Sequence, residues 1–350
     1  MQKSVEGHYM KANELLEYIF EDRSHIFVFV FAHWIKSSDR FKAFAESYRN
    51  KIRKKVNEAE NDEVITDVRF ELEMAYLMFQ NNGLLKVEYE KCGTEERNPD
   101  FTVTCETGVI FNLEVKRIRK TKLETRFEAW KKDVEKQISD VPSTLALSMH
   151  IGGDLDTSLD LPDRLKDKTS DIINYIVNTI PAAEKEIPVD GKERYPVPGF
   201  EGELELEFRK PPKKPTSDHT SYYGGSFPIF NTQLEYRKFG DAICESLGQM
   251  RPGMINVLTI STDSSTHDDF DLGKAIASLN ELAAQGNDDF FIKKGFEGVD
   301  DFLEHFKQLS GVLFRGTWVG IANDSNILWC NEKADHQIPE DISKILRRMN

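Results

Sequence analysis

A short stretch in the first third of the chain alternates between apolar and polar positions, in two segments joined by a tight turn. The first segment covers residues 101–105 and the second covers residues 109–116, with residues 106–108 between them. Alternation with a period of two is typical of strands that bury one face, so the pattern predicts a β-hairpin. Each strand is expected to have one apolar face and one more polar face.

The loop length determines which residues of the two strands lie opposite each other. A three-residue loop pairs Cys105 with Val109, and counting outward pairs Asp100 with Glu114. Directly opposed residues have Cβ atoms roughly 4.5–5.5 Å apart, so the two carboxylates are expected to lie side by side. Lys116 follows on the same face, about 7 Å along the strand. Two close carboxylates repel each other unless a cation or a proton lies between them, so the register predicts a metal site.

Helices and further strands flank the hairpin in the sequence. The spacing of apolar residues predicts helices up to about residue 65 and over residues 70–80, followed by a strand over residues 84–92. After the hairpin it predicts a helix over residues 121–140 and a strand over residues 143–151. The resulting order, α-β-β-β-α-β, predicts the α/β fold class, with a mixed β-sheet whose faces are covered by helices.

The chain is long enough for one large domain or two, because 350 residues with 39% hydrophobic content can bury a sizeable core. We divide it into an N-terminal helical segment over residues 1–66, a core over residues 67–152 and a C-terminal α/β region over residues 153–350. The strands predicted in the C-terminal region either extend the sheet of the core or form a second domain. The pattern alone leaves both arrangements open.

The formal net charge of −14 argues against a protein that coats nucleic acid through bulk charge, but it does not exclude a local basic surface. Such a surface is predicted at residues 116–132, which contain eight lysine and arginine residues and two glutamates. Residues 51–55 form another basic cluster, interpreted first as a solvated helix face and second as a phosphate contact. The candidates for contact with nucleic acid are Arg117, Arg119, Lys120, Lys122 and Arg126.

The four cysteines show no spacing of a metal-binding or redox motif, which is typical of proteins in a reducing compartment. The most apolar run, residues 26–35, is far shorter than the roughly 20 residues of a membrane helix and is interpreted as a buried core segment. No signal-peptide pattern is visible at the N-terminus. A cytoplasmic protein that does not associate with membranes is therefore expected.

The predicted hairpin also brings together groups with a definite chemistry. Asp100 and Glu114 offer the oxygen ligands that Mg²⁺ prefers, with Mn²⁺ as the substitute ion. The backbone carbonyl of Val115 offers a further oxygen between two polar side chains. Lys116 places a positive charge nearby, where it can orient a water molecule or stabilise developing negative charge. A carboxylate pair with a lysine is suited to phosphodiester hydrolysis.

The helix before the hairpin offers a further carboxylate. Glu71 shares a face with three apolar residues of this helix, where a charge is unusual, whereas Glu73 begins a more polar line. We expect Glu71 to join the site if a helical acid does, with Glu73 as the second choice. Either glutamate could instead be an exposed residue of the first turn, which the helix dipole favours.

Pro99-Asp100, thirteen intervening residues and Glu114-Val115-Lys116 resemble the signature of the PD-(D/E)XK nuclease superfamily, whose members share the restriction-endonuclease-like fold. The resemblance covers roughly residues 67–152. It implies a metal-dependent nuclease of the restriction, defence, repair or mobile-element type, acting on DNA rather than RNA. In this interpretation Asp100 and Glu114 bind the metal, Lys116 assists catalysis and Glu71 is the additional helical acid. A homodimer is a further implication, because many such enzymes cut two strands as dimers.

Two other interpretations remain open from the sequence. One is a catalytically inactive member of the same fold that binds nucleic acid or a protein partner. The other is an unrelated α/β protein in which Lys116 forms only a surface ion pair with Asp100 or Glu114. Such ion pairs are common and contribute little to stability.

Overall fold

The chain divides into two compact units. In the computed structural model, one unit comprises Met1–Arg119 together with Tyr236–Asn350, and we call it the sheet unit. The other comprises Lys120–Glu235, and we call it the inserted unit because the chain leaves the sheet unit to form it and then returns. The structure describes residues 10–21, 25–90, 98–119, 122–151, 160–211, 221–222, 232–262, 269–316 and 326–349.

Helices precede the hairpin, as predicted for the N-terminal segment, and recur through the rest of the chain. Within the described residues, no helix combines the length and the apolarity needed to cross a membrane. Before the hairpin lie α1 (Ala12–Ile19), α2 (Ile26–Ser37), α3 (Asp39–Ser47), α4 (Arg49–Asn57) and α5 (Asp62–Gln80). After it lie α6 (Lys122–Ile138), α7 (Leu161–Asp167), α8 (Thr169–Glu186), α9 (Thr232–Leu247), α10 (Asp269–Ala284), α11 (Asp288–Lys293), α12 (Val299–Phe306) and α13 (Glu340–Arg347).

The strands form two separate sheets. In chain order they are β1 (Leu84–Tyr89), β2 (Phe101–Cys105), β3 (Ile110–Ile118), β4 (Ala146–Ile151), β5 (Lys192–Pro196), β6 (Leu204–Arg209), β7 (Ser221–Tyr222), β8 (Ile255–Thr262), β9 (Gly311–Gly316) and β10 (Ile327–Cys330). In the described part of the sheet unit the strand order is β1-β2-β3-β8-β9-β10. The pairs β1–β2, β2–β3 and β9–β10 are antiparallel, whereas β3–β8 and β8–β9 are parallel. The predicted α/β class with a mixed sheet is confirmed.

Helices cover both faces of this six-stranded sheet. On one face, the side chains of Phe101, Leu113 and Val257 belong to a core that includes helices α1 to α5. On the other face, Leu258 and Ile260 belong to a core that includes α9, α10 and α12. Residues 256–262 of β8 are buried without interruption, which is typical of a central parallel strand with both faces covered.

The inserted unit has its own sheet and its own hydrophobic core. Its described strands are arranged in the order β5-β6-β4-β7, in which β4 is antiparallel to β6. Leu147 and Met149 of β4 and Leu206 and Phe208 of β6 are fully buried in a core that they share with α6 and α8. Because this core contains only residues of the inserted unit, the unit has the features of a separate domain.

The structure divides the chain differently from the sequence-based division at residues 66 and 152. The predicted α-β-β-β-α-β order exists along the chain, but α6 and β4 belong to the inserted unit, where β4 pairs with β6 and β7. The strand parallel to β3 is β8, and α9 precedes it. A strand parallel to β3 requires a long crossover connection, and in this chain that connection contains the inserted unit as well as α9. The C-terminal strands β8, β9 and β10 extend the core sheet, which was one of the two arrangements left open.

Candidate metal centre

The hairpin has the register that its turn length predicts. Phe101 pairs with Leu113, and Val103 pairs with Phe111. The amide of Cys105 donates a hydrogen bond of 2.8 Å to the carbonyl of Val109, across a turn in which Gly108 adopts a φ of 82°. A positive φ is readily available to glycine, so the three-residue loop closes without strain and fixes the pairing. Asp100 therefore lies opposite Glu114, as predicted.

Asp100 and Glu114 contact each other at the open end of the hairpin. The backbone amide of Asp100 donates a hydrogen bond of 3.3 Å to Oε2 of Glu114, and the backbone amide of Val115 donates one of 2.8 Å to Oδ2 of Asp100. The Nζ atom of Lys116 lies 3.7 Å from Oε1 of Glu114. Glu114 is only 5% exposed. The structure thus brings the three predicted residues together, with a buried carboxylate between an aspartate and a lysine.

The Val115 carbonyl is oriented toward the same end of the hairpin. Strand β2 begins at Phe101, which pairs with Leu113, whereas β3 continues beyond Leu113 to Ile118. The Val115 amide therefore bonds to the Asp100 side chain in place of a strand partner. In an extended strand, the N–H and C=O of one residue point to the same side. The Val115 carbonyl therefore points toward Asp100, which is the direction expected for a metal ligand.

A second group of carboxylates shares Asp100. Oxygen atoms of Glu71, Glu90 and Asp100 all lie within 4.8 Å of one another, which is close enough to hold a metal ion. Glu71 comes from the middle of α5, and Glu90 follows the last residue of β1. Glu114 does not belong to this group. Asp100 thus connects two acidic sites, one with Glu114 and one with Glu71 and Glu90.

Glu71 and Glu73 have different surroundings, although both fitted the sequence pattern. Glu71 lies in the acidic group with Asp100. Oε1 of Glu73 lies 3.6 Å from the guanidinium of Arg315, which is almost fully buried on β9. Helical geometry separates the two glutamates, because residues two positions apart do not share a face. Glu71 is therefore the helical acid whose position fits the site.

Lysines from α4 lie against the second acidic group. Nζ of Lys55 lies 2.6 Å from Oε2 of Glu71 and 2.5 Å from Oε1 of Glu90. Nζ of Lys51 lies 2.8 Å from Oε2 of Glu90. The hydroxyl of Tyr89 donates a further hydrogen bond of 2.7 Å to Oε2 of Glu71. These contacts give the acidic group cationic partners from α4 and a hydroxyl partner from β1.

Burial shifts the pKa values of both hairpin carboxylates upward. For Asp100, burial is the main cause, and the negative charges of Glu71 and Glu114 add to it, so its pKa is raised well above the ordinary value. Burial also raises the pKa of Glu114 to about 7, although Lys116 and the Asp100 amide act in the opposite direction. Both carboxylates therefore lack sufficient compensating charge in the protein alone. An oxygen-binding divalent cation fits this donor set, because it would supply that charge.

Lys55 and Glu90 are held in their charged forms, whereas Tyr89 is held in its neutral form. Burial opposes the charge of Lys55, but Glu71 and Glu90 outweigh it and raise the lysine pKa above its ordinary value. Burial likewise opposes the charge of Glu90, but hydrogen bonds from Lys51 and Lys55 lower its pKa. For Tyr89, burial and the neighbouring Glu71 charge raise the pKa, so its hydroxyl remains a donor.

The predicted nucleic-acid contacts are largely engaged in ion pairs where the structure describes them. Arg117 is nearly buried and pairs with Glu63 and Asp67 of α5. Arg119 is half exposed and pairs with Asp67. Within the inserted unit, Arg126 is exposed and pairs with Asp163. Lys120 and the side chain of Lys122 lie outside the described residues.

The sequence interpretation missed Lys55, Glu90 and Tyr89 as parts of the site. The cluster at residues 51–55 was interpreted first as a solvated helix face. A signal was nevertheless present, because Lys51 and Lys55 are four residues apart and therefore share a helix face with each other. Lys54, the chain neighbour of Lys55, is mostly exposed.

Comparisons of the chain with protein-family models, with curated proteins and with solved structures gave no match. Any assignment to a family therefore depends on the residues and geometry of the site itself.

Proposed function

We propose that this protein is a Mg²⁺-dependent nuclease of the PD-(D/E)XK superfamily that hydrolyses phosphodiester bonds in DNA. The observation that carries the proposal is the meeting of Asp100, Glu114 and Lys116 where β3 extends beyond β2. This arrangement has the residue types, the order and the hairpin register of the superfamily signature. The fit of the donor set to a divalent cation supports it further.

The strand topology of the sheet unit is compatible with this assignment. A helix, three antiparallel strands, a second helix and a strand parallel to the third follow one another as α5, β1, β2, β3, α9 and β8. This is the α-β-β-β-α-β order expected of the restriction-endonuclease-like fold, with the inserted unit between β3 and α9. The catalytic strand would then be β3, which carries Glu114 and Lys116.

Each residue has a distinct role in the proposed reaction. Asp100, Glu114 and the Val115 carbonyl would hold the divalent ion. The ion would supply Lewis-acid stabilisation to the phosphate being cleaved. Lys116, whose side chain is about one-third exposed, can reach a bound phosphate and stabilise negative charge in the transition state. Glu114 keeps the lysine near this position through the contact between their side chains.

The test is a cleavage assay across substrate classes. Purified protein would be incubated with linear, circular, single-stranded and branched DNA and with RNA, in Mg²⁺, Mn²⁺ or EDTA. We expect metal-dependent cleavage of at least one DNA substrate. Glu114→Gln and Lys116→Met should each lower the rate at least about 100-fold, since the first removes a ligand of the ion and the second removes the charge that would stabilise the transition state.

Lys86→Met provides a matched control, because Lys86 is an exposed lysine on β1 of the same sheet and pairs with Glu88, two residues along the strand. Its activity should equal that of the unaltered protein. Cleavage that persists in EDTA, or in both site variants, would contradict the proposed function. Binding of DNA without cleavage of any substrate would favour the inactive module instead.

A further inference from the structure

The acidic group formed by Glu71, Glu90 and Asp100 requires a positive charge. Its carboxylate oxygens lie within 4.8 Å of one another, and all three side chains are at least partly shielded from water. Unit charges at this separation repel strongly when water is partly excluded. A second divalent ion would be the expected partner in an enzyme that uses two metals, which commonly lie about 3.5–4 Å apart.

The structure places an ammonium group in this position. Nζ of Lys55 contacts Glu71 at 2.6 Å and Glu90 at 2.5 Å, so one lysine bridges two of the three carboxylates. About a quarter of the Lys55 side chain is exposed, and its ammonium group also lies 5.0 Å from the centre of the Tyr89 ring. A cation over an aromatic face gains additional attraction when it is partly desolvated.

Glu71 and Glu90, whose carboxylates contact the Lys55 ammonium, are also held in place. Glu90 adopts a φ of 39°, a left-handed conformation that a non-glycine residue occupies only when its surroundings enforce it. Its amide donates a hydrogen bond of 2.7 Å to the Asp100 carbonyl, and its own carbonyl accepts one of 3.1 Å from Lys51. Tyr89 and Lys55 both bond to the same oxygen of Glu71, which orients that carboxylate. Lys55 thus belongs to a network of hydrogen bonds and ion pairs that fixes the positions of its members.

We propose that the Lys55 ammonium is a fixed cation that takes the place of a second metal ion, so that the site binds one exchangeable divalent ion, at Asp100 and Glu114. The inference rests on the proposed function for the identity of that exchangeable ion. The N-terminal helical segment then contributes directly to the metal centre. A divalent ion can enter the acidic group of Glu71, Glu90 and Asp100 only when the lysine charge is removed.

The test counts bound ions in the full-length protein. Mn²⁺ serves as the probe, because free Mn²⁺ can be measured by electron paramagnetic resonance after equilibrium with the protein. Lys55→Met removes the charge and keeps most of the stem, and Lys55→Gln removes the charge and keeps a hydrogen-bond donor. Each should bind one more Mn²⁺ per chain than the unaltered protein. Lys55→Arg, which retains the charge, should bind the unaltered number.

Lys54→Met is the matched control, because Lys54 neighbours Lys55 on α4 but is mostly exposed and pairs with Glu58. It should bind the same number of ions as the unaltered protein. Circular dichroism would establish that each variant is folded. If Lys55→Met does not fold, the number of bound ions is measured in Lys55→Gln. An ion count in the neutral Lys55 variant equal to that of the unaltered protein overturns the proposal.

The two proposals fail in different ways. If Glu114→Gln binds as many ions as the unaltered protein, the metal site of the proposed nuclease is wrong. The difference between the unaltered protein and the neutral Lys55 variants does not depend on that result. An added ion in Lys55→Met therefore supports the fixed-cation role even when no cleavage is seen.

Discussion

At the scale of single residues, the candidate site holds more negative charge than its surroundings compensate. Asp100 and Glu114 both have raised pKa values because burial disfavours their charges. Residues selected for function often lower the stability of the fold that carries them. We therefore expect the buried charges of the site to lower the free energy of unfolding of the metal-free protein.

Glu114→Gln should therefore stabilise the metal-free protein. The change removes a buried charge beside Asp100 and keeps an oxygen that can accept the bond from the Asp100 amide. We expect a gain on the order of 1–3 kcal/mol at pH 8 in EDTA, because one pKa unit corresponds to about 1.4 kcal/mol. Denaturant unfolding of both proteins would measure it. A loss of stability in the variant would show that the Glu114 contacts outweigh the burial of its charge.

Glu184, in the inserted unit, has a lowered pKa, in contrast to Asp100 and Glu114. Its Oε1 accepts hydrogen bonds from the Thr144 amide at 2.7 Å and from the Ser143 and Thr144 hydroxyls at 3.1 Å. These bonds favour the carboxylate and lower the Glu184 pKa below its ordinary value of 4.5. The group therefore adds stability above pH 4.5, and this contribution is lost as the pH falls through the lowered pKa.

Glu184→Gln should destabilise the protein at pH 7 by about 1 kcal/mol, typical of a lost charge-assisted hydrogen bond. The difference should narrow as the pH falls below about 4.5, the ordinary pKa of the group. Thermal unfolding of both proteins across this range would measure the difference. Glu186→Gln, at the last residue of the same helix, serves as the control. If the two proteins differed in stability by the same amount from pH 7 to pH 3.5, the Glu184 charge would not be the cause of the difference.

The residues of the site differ in how far the sequence could reveal them. Asp100, Glu114 and Lys116 were predictable because a single turn fixes their register, and the structure has that register. The spacing of Lys51 and Lys55 indicated a shared helix face, but the contact of Lys55 with Glu90 was not predictable, because it depends on how α4 packs against α5 and the end of β1. That packing is set by buried side chains distributed over the whole N-terminal segment, and periodicity does not encode it.

At the scale of elements, the start of β9 has no room for a side chain. A Cβ atom added at Gly311 would lie 2.6 Å from the Trp329 carbonyl oxygen and 2.7 Å from Cδ1 of Ile338. The first of these neighbours is backbone of β10, the antiparallel partner of β9. The close approach of the two strands therefore depends on glycine at this position.

Gly311→Ala should lower stability by about 1–3 kcal/mol, the usual cost of overpacking, as β10 shifts to relieve the contact. Gly273→Ala is the matched comparison, because Gly273 lies in α10 and an added Cβ would have no atom within 4 Å. It should raise stability by roughly 0.5–1 kcal/mol through helix propensity. Denaturant midpoints of both variants would measure the contrast. Equal effects of the two changes would show that β9 and β10 can separate freely.

Most element types followed from the sequence, but membership of a sheet did not. The pattern predicted a strand over residues 143–151, where β4 lies, and further strands in the C-terminal region. Local pattern carries no information on which strand becomes the parallel neighbour of β3, because that pairing joins distant parts of the chain. The continuous burial of β8 was the feature that distinguished it from β4, whose polar positions alternate with buried ones.

At the scale of the whole molecule, the inserted unit has the means to fold without the rest of the chain. Its core of fully buried residues from α6, α8, β4 and β6 belongs to that unit alone. Residues 120–235 expressed separately should therefore show a cooperative thermal transition. Differential scanning calorimetry would measure it, and Leu206→Ala in the core should lower its midpoint. A gradual loss of structure, without a transition, would show that the sheet unit is needed for folding.

The parallel pairing of β3 with β8 has a consequence for how the chain reaches its native state. A buried hydrogen bond joins Asn112 to Asn256, which are 144 positions apart, and the centre of the sheet depends on such contacts. Closing a long flexible loop is entropically unfavourable and slows folding. If the inserted unit folds first, it replaces most of that loop by a compact body. The sheet would then assemble late, with Glu114 and Lys116 gaining their final surroundings in one of the last steps.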